Sequence, residues 1–131
     1  MEDIIFKKEC YDIQGAIFDV YRLIGHGFLE PVYQECLARE MKLHGIPFEA
    51  QKQLRLYYRD ELIEKTYIAD FVCYGKIILE IKAVSDITDA HKAQVLNYLR
   101  MTGMKLGLLA NFGHHPKATI HRIVNSQAEI N

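Results

Sequence analysis

Three charged residues interrupt otherwise apolar runs: Asp70 in Tyr-Ile-Ala-Asp-Phe-Val, and Glu80 with Lys82 in Ile-Leu-Glu-Ile-Lys-Ala. Side chains two apart on a strand share a face, so Glu80 and Lys82 point the same way, roughly 6.6 Å apart along the chain. Asp70 joins them under only one strand pairing. A two-residue loop, Gly75-Lys76, sets Asp70 against Ile81 and on the wrong face. A three-residue loop, Tyr74-Gly75-Lys76, sets it opposite Glu80 with Cβ atoms about 4.5 to 5.5 Å apart. One residue of slip separates a site from two unrelated carboxylates.

Two carboxylates that close in apolar surroundings repel, and burial raises their cost, so the pair calls for a cation. Lys82 supplies part of it. A hard divalent ion, Mg²⁺ or alternatively Mn²⁺, suits better, because it takes one or two protein carboxylates and completes its shell with water and phosphate oxygens. Asp70 and Glu80 would then hold the metal, the metal would lower the pKa of a bound water, and Lys82 would orient that water or offset charge growing on phosphate. That is the chemistry of phosphodiester hydrolysis. A Glu-x-Lys pair alone is also the ordinary pattern of a solvated strand face; Asp70, one strand earlier across a glycine hairpin, is what gives the pair its weight.

The elements that must position these residues follow from hydrophobic period. Glu9 to Ile24 places Ile13, Ala16, Ile17, Val20, Leu23 and Ile24 on one helical face. A second helix starts near Pro31, whose fixed φ suits a first turn, and runs to Leu43 or His44 with Val32, Cys36, Leu37 and Met41 as its buried stripe. From Ile46 to Tyr58 the period becomes two, with Phe48, Ala50, Leu54, Leu56 and Tyr58 on one face of a strand. After a turn at Arg59-Asp60-Glu61 come strands over Thr66 to Tyr74 and Lys76 to Val84, the second too apolar for a sheet edge. A capped helix over Asp89 to Thr102, closed by Gly103, and strands over Lys105 to Asn111 and Ala118 to Val124 complete the order. An α/β fold, a mixed sheet of about five strands flanked by about three helices, is the compact solution, and 131 residues fit a single domain over the whole chain.

The spacing of Asp70 and Glu80-Ile81-Lys82 resembles the PD-(D/E)xK, or restriction-endonuclease-like, nuclease superfamily. More narrowly, Gly27-Phe28-Leu29-Glu30-Pro31-Val32-Tyr33 is similar to the signature of the small GxxExxY family within it. The likeness runs from about Glu9 to Val124 and includes His91-Lys92-Ala93-Gln94 and Asn97-Tyr98-Leu99; the superfamily's proline before the aspartate is replaced by Ala69. The resemblance implies that Glu30 joins Asp70 and Glu80 in the metal shell. It also implies that Gln94 and Tyr98 form the Gln-x-x-x-Tyr element of RecB-like nucleases, Gln94 catalytic and Tyr98, with His91 beside it, touching nucleic acid. Each has a plainer reading: Glu30 as a carboxylate favoured at a helix start, Gln94 as a polar cap over a sheet carboxylate, His91 as an ordinary helix residue, and Tyr33 and Tyr98 as core aromatics.

The composition bounds the function. The formal charge of -1 counts against a high-affinity nucleic-acid binder, though not against an enzyme that places a few cations locally. Lys52, Arg55, Arg59, Lys117 and Arg122 are scattered, and His114-His115-Pro116 reads as a loop. Cys10, Cys36 and Cys73 form no metal-binding pair and read as reduced core residues. With no apolar run of membrane-spanning length and no secretory leader, a cytoplasmic protein is expected. The leading expectation is a metal-dependent nuclease, with DNA favoured over RNA and a homodimer compatible with small nucleases of this kind. The alternatives are an inactive nucleic-acid- or protein-binding module on the same fold, or an enzyme acting on another phosphate-bearing substrate.

Overall fold

The computed structural model describes residues 4–127. Two helices lead: α1 (Lys7–Ile24) and α2 (Glu30–Leu43). Strands β1 (Phe48–Tyr58), β2 (Glu61–Cys73) and β3 (Ile77–Lys82) follow, then α3 (Asp89–Thr102), β4 (Leu106–Asn111) and β5 (Thr119–Val124). The five strands lie in chain order in one mixed sheet, β3 in the middle and parallel to β4, with every other pair antiparallel. This is a restriction-endonuclease-like α/β fold. No helix among the described residues is long and apolar enough to cross a membrane.

Each helix buries one stripe, and the stripes fix which face of the sheet it covers. On α1, Cys10, Ile13, Ala16, Ile17 and Val20 are buried, whereas Leu23, expected inside, is 63% exposed beyond the covered turn. On α2 the buried positions are Tyr33, Leu37 and Met41, four apart. Val32 is exposed and Cys36 half-buried, because Tyr33 turns the helix inward to stack on Phe112, ring centroids 4.5 Å apart. These two helices pack over Phe71, Cys73, Ile77, Leu79, Ile81, Leu106, Leu108 and Ala110. The opposite face is covered by α3, whose Val95 and Leu99 meet Ala69, Val72, Ile78 and Leu109. Cys10 and Cys73 are buried, Cys36 is half-buried, and all three are free thiols.

Two features of β1 and β2 position the site. The β2–β3 connection is the three-residue alternative, since Phe71, Val72 and Cys73 pair with Leu79, Ile78 and Ile77. One step further, alternation fails. Ala69 belongs to the α3-side core and Phe71 to the α1/α2-side core, although residues two apart on a regular strand share a face. The neighbouring strand changes sides at the same level: Phe48 packs on the α1/α2 side, Leu54 and Leu56 on the α3 side. The expectation that Phe48 to Tyr58 presents one apolar face is therefore corrected. The hairpin reverses its faces at Gln51 and Asp70, where Gln51 has φ 52° and the flanking pairs are Ala50 with Phe71 and Lys52 with Ala69.

Candidate metal centre

At this reversal side chains replace the backbone ladder between β2 and β3. The Asp70 N–H donates to Glu80 Oε1 at 3.0 Å, and the Ile81 N–H donates to Asp70 Oδ2 at 2.8 Å. Each carboxylate thus takes a backbone donor from the strand carrying the other, and the two acids meet. The Tyr67 hydroxyl donates to the same Glu80 Oε1, and its ring lies flat on Tyr98, centroids 3.6 Å apart and planes within 7°.

The electrostatics are those of a crowded acid pair. Burial, and then the nearby Asp70 charge, push Glu80 up to about 7 from 4.5, against the opposing pull of the Tyr67 hydroxyl, the Asp70 N–H and the Lys82 charge. Burial likewise raises Asp70, with the Ile81 N–H, Lys82 and the Gln51 amide drawing it back. Tyr67 is raised well above a phenol's ordinary range by burial and then by Glu80, so it stays a donor. A divalent cation beside the pair would relieve what raises both acids, by supplying the opposite charge that desolvation demands. By their donor chemistry the residues present fit such an ion.

Lys82 is half-buried two residues beyond Glu80 on β3 and pairs across the sheet with Asn111. Asn111 is fully buried. Its Oδ1 accepts the Val84 and Gly113 N–H groups, both at 3.0 Å, so its Nδ2 must be a donor, and that donor has no partner among the described residues.

Glu30 opens α2 and is exposed. With Gln34, Glu35, Gln51 and Asp70 it lines an open pocket of about 450 Å³ between the start of α2 and the strand reversal. The turn that delivers it is pinned by Tyr33, whose hydroxyl donates to Gly25 O at 2.6 Å and accepts the Phe28 N–H at 3.3 Å. Gly27 takes φ 107°, which a side chain would oppose. Gly27, Glu30 and Tyr33 thus act together as turn, acid and pin.

The remaining candidates lie on the other flank. His91, Gln94 and Tyr98 line a separate, shallow pocket along α3 with Ala90 and Asn97. Tyr98 reaches the acids through its stack on Tyr67. His91 forms a capping box with Thr88: its Nδ1 accepts the Thr88 N–H at 3.0 Å and its own N–H donates to the Thr88 hydroxyl at 3.2 Å. Gln94 is exposed and does not line the pocket that holds Asp70.

Sequence reasoning missed Tyr67, Gln51 and Asn111. Regular alternation puts Tyr67 on the face opposite Asp70, so only the reversal brings it to Glu80. Gln51 carries no local signal, whereas Asn111, a polar end to the apolar run Leu-Gly-Leu-Leu-Ala, could have been noticed. Among the described residues the one trio of acidic or histidine side chains whose ligand atoms lie within 4.8 Å of one another is Asp19, Glu40 and His44, away from this pair; Glu30, Asp70 and Glu80 do not form such a trio. His44 Nε2 is 2.9 Å from Asp19 and 3.2 Å from Glu40, hydrogen-bond contacts that tie α1 to the end of α2.

The family model of the PD-(D/E)XK nuclease superfamily matches residues 7–123, and the chain belongs to that superfamily. Its members generally use divalent metals and act on nucleic acid. Among solved structures the protein called SSO0001 is similar, with a TM-score of 0.55 at 18% identity over 72% of this chain and 50% of that one. The likeness is one of fold, and this chain spans about half the length of that relative. No curated protein matches it.

Proposed function

We propose that the protein is a metal-dependent nuclease that hydrolyses phosphodiester bonds of nucleic acid, and that it stands in the GxxExxY branch of its superfamily. The meeting of Asp70 and Glu80 at the strand reversal carries the first reading; the cooperation of Gly27, Glu30 and Tyr33 in delivering an acid to the pocket that Asp70 lines supports the second. Asp70, Glu80 and Glu30 would hold Mg²⁺ or Mn²⁺, which when bound supplies Lewis acidity toward phosphate and a more acidic water. Ile81 fixes one Asp70 oxygen through its N–H. Tyr67 and the Asp70 N–H hold one Glu80 oxygen, which orients the carboxylate. Lys82, on the Glu80 face, places a cation where charge grows on the phosphate. Gln94, His91 and Tyr98 border the flank along which nucleic acid would lie, with DNA favoured over RNA.

The test is incubation of the purified chain with linear, nicked, single-stranded and branched DNA, and with RNA, in Mg²⁺ and in Mn²⁺. Cleavage is expected with either metal and is lost in Asp70→Asn and Glu80→Gln. Inactivity on every substrate, or activity that survives both substitutions, would overturn the reading.

A further inference from the structure

Gln51 is the one non-glycine residue with positive φ that lies within a described strand; the others, Phe6, Arg59, Asp60 and Tyr74, sit at a helix cap or in hairpin turns. A left-handed conformation strains an ordinary L-residue, and glycine would take it without strain. Strain of this kind persists where the surroundings over-determine it, and it clusters at functional sites. At Gln51 the surroundings are specific. The position faces Asp70 in the β1–β2 register, between the pairs Ala50 with Phe71 and Lys52 with Ala69. Gln51 and Asp70 line one pocket together with Glu30, so the amide and the carboxylate open onto the same space. A second amide, Gln34, reaches the Asp70 carbonyl at 3.5 Å from the α2 side.

We propose that Gln51 is a positioning residue: its side-chain amide holds the Asp70 carboxylate turned into the pocket it shares with Glu30, and the left-handed backbone brings the amide there. The proposal rests on the reading of Asp70 and Glu80 as metal ligands. A glutamine at this point trades backbone ease for a donor that glycine lacks. An amide suits the task, because it donates to a carboxylate without the positive charge by which an ammonium would repel the cation.

The backbone and side-chain roles separate by substitution. Gln51→Gly relieves the left-handed strain and deletes the amide; Gln51→Asn keeps an amide in a residue that tolerates the conformation. Mn²⁺ titration by calorimetry, beside thermal unfolding of the metal-free proteins, reads both. In Gln51→Gly the Tm is expected to hold or rise while Mn²⁺ binds about tenfold more weakly, as when a group orienting a ligand is lost; Gln51→Asn should recover part of that affinity. Wild-type affinity in Gln51→Gly would overturn the positioning role and leave the metal site standing. A joint fall of Tm and affinity that Gln51→Asn does not repair would make the residue structural and overturn it as well. Absence of Mn²⁺ binding to the wild type would instead overturn the reading beneath it.

Discussion

Glu80 couples the chemistry of the site to the stability of the fold. Its carboxyl titrates near 4.5 when unfolded and is pushed up to about 7 when folded, by burial and then by Asp70. Below about pH 4.5 both states hold the proton. Between the two values the folded state keeps a proton that the unfolded state has lost, so stability falls as pH rises, and above about 7 the full penalty applies. Asp70, raised in the same direction, adds to the slope. Metal-free protein is therefore expected to lose up to about 3 kcal/mol between pH 4.5 and pH 8, read from urea midpoints. Glu80→Gln should flatten most of that slope. Mn²⁺ should also flatten it, because the ion binds the deprotonated folded form. A second outcome isolates Tyr67. Tyr67→Phe keeps the stack on Tyr98 but removes the hydroxyl that favours charged Glu80, so the Glu80 carboxyl should titrate higher still and Mn²⁺ affinity at pH 7 should drop; a carboxyl ¹³C titration with a parallel calorimetric titration checks both.

What the sequence made legible, and what it hid, divides at the level of elements. Helix α3 was readable to its ends, because its signals are local: Thr88 caps it and Gly103, at φ 78°, closes it. The central place of β3 followed from its apolar run, and the choice between two hairpin loops was correctly reduced to one residue. The face reversal was hidden because it depends on β1 and β2 at once, and alternating apolar residues look the same whether or not the strand changes sides. That reversal brings Tyr67 and Asp70 to Glu80 and sets Gln51 across from Asp70, so motif reading picked out the two acids that meet but not their neighbours. The ends of β3 and β4 depend on close backbone approach instead. A Cβ on Gly113 would come within 2.5 Å of the Val84 backbone, whereas one on Gly107 would meet the Val95 side chain at 2.7 Å. Relieving the first contact means moving backbone at Ala83 and Val84, whereas the second needs only a small shift of the stiff Val95 side chain and of α3. Gly107→Ala should cost about 1 to 2 kcal/mol, and Gly113→Ala about 3 kcal/mol or more, with weaker metal binding as Val84 and Asn111 shift at the end of β3; chemical denaturation of both variants gives the comparison.

For the whole molecule the decisive quantity is charge. Sixteen Lys and Arg against seventeen Asp and Glu leave no surplus to draw a polyanion from a distance, and the candidate pocket is itself acidic, with Glu30, Glu35 and Asp70 on its walls. A protein that neutralises many phosphates releases as many counterions and shows a steep fall of affinity with salt. This one, if its positive field at the site comes from a bound metal and Lys82, should do neither unaided. In EDTA it is expected to bind DNA no more tightly than about 10⁻⁴ M at physiological salt, with a log–log salt slope corresponding to no more than about three phosphates. Mn²⁺ should tighten binding, because the ion turns a repulsive pocket into an attractive one, and Asp70→Asn should remove that gain while leaving the weak metal-free binding in place. Fluorescence anisotropy across a salt series, with and without Mn²⁺, distinguishes the cases. Tight metal-free binding with a steep slope would mean that a basic surface, and not the acid pair, recruits the substrate; it would move the centre of recognition away from the strand reversal.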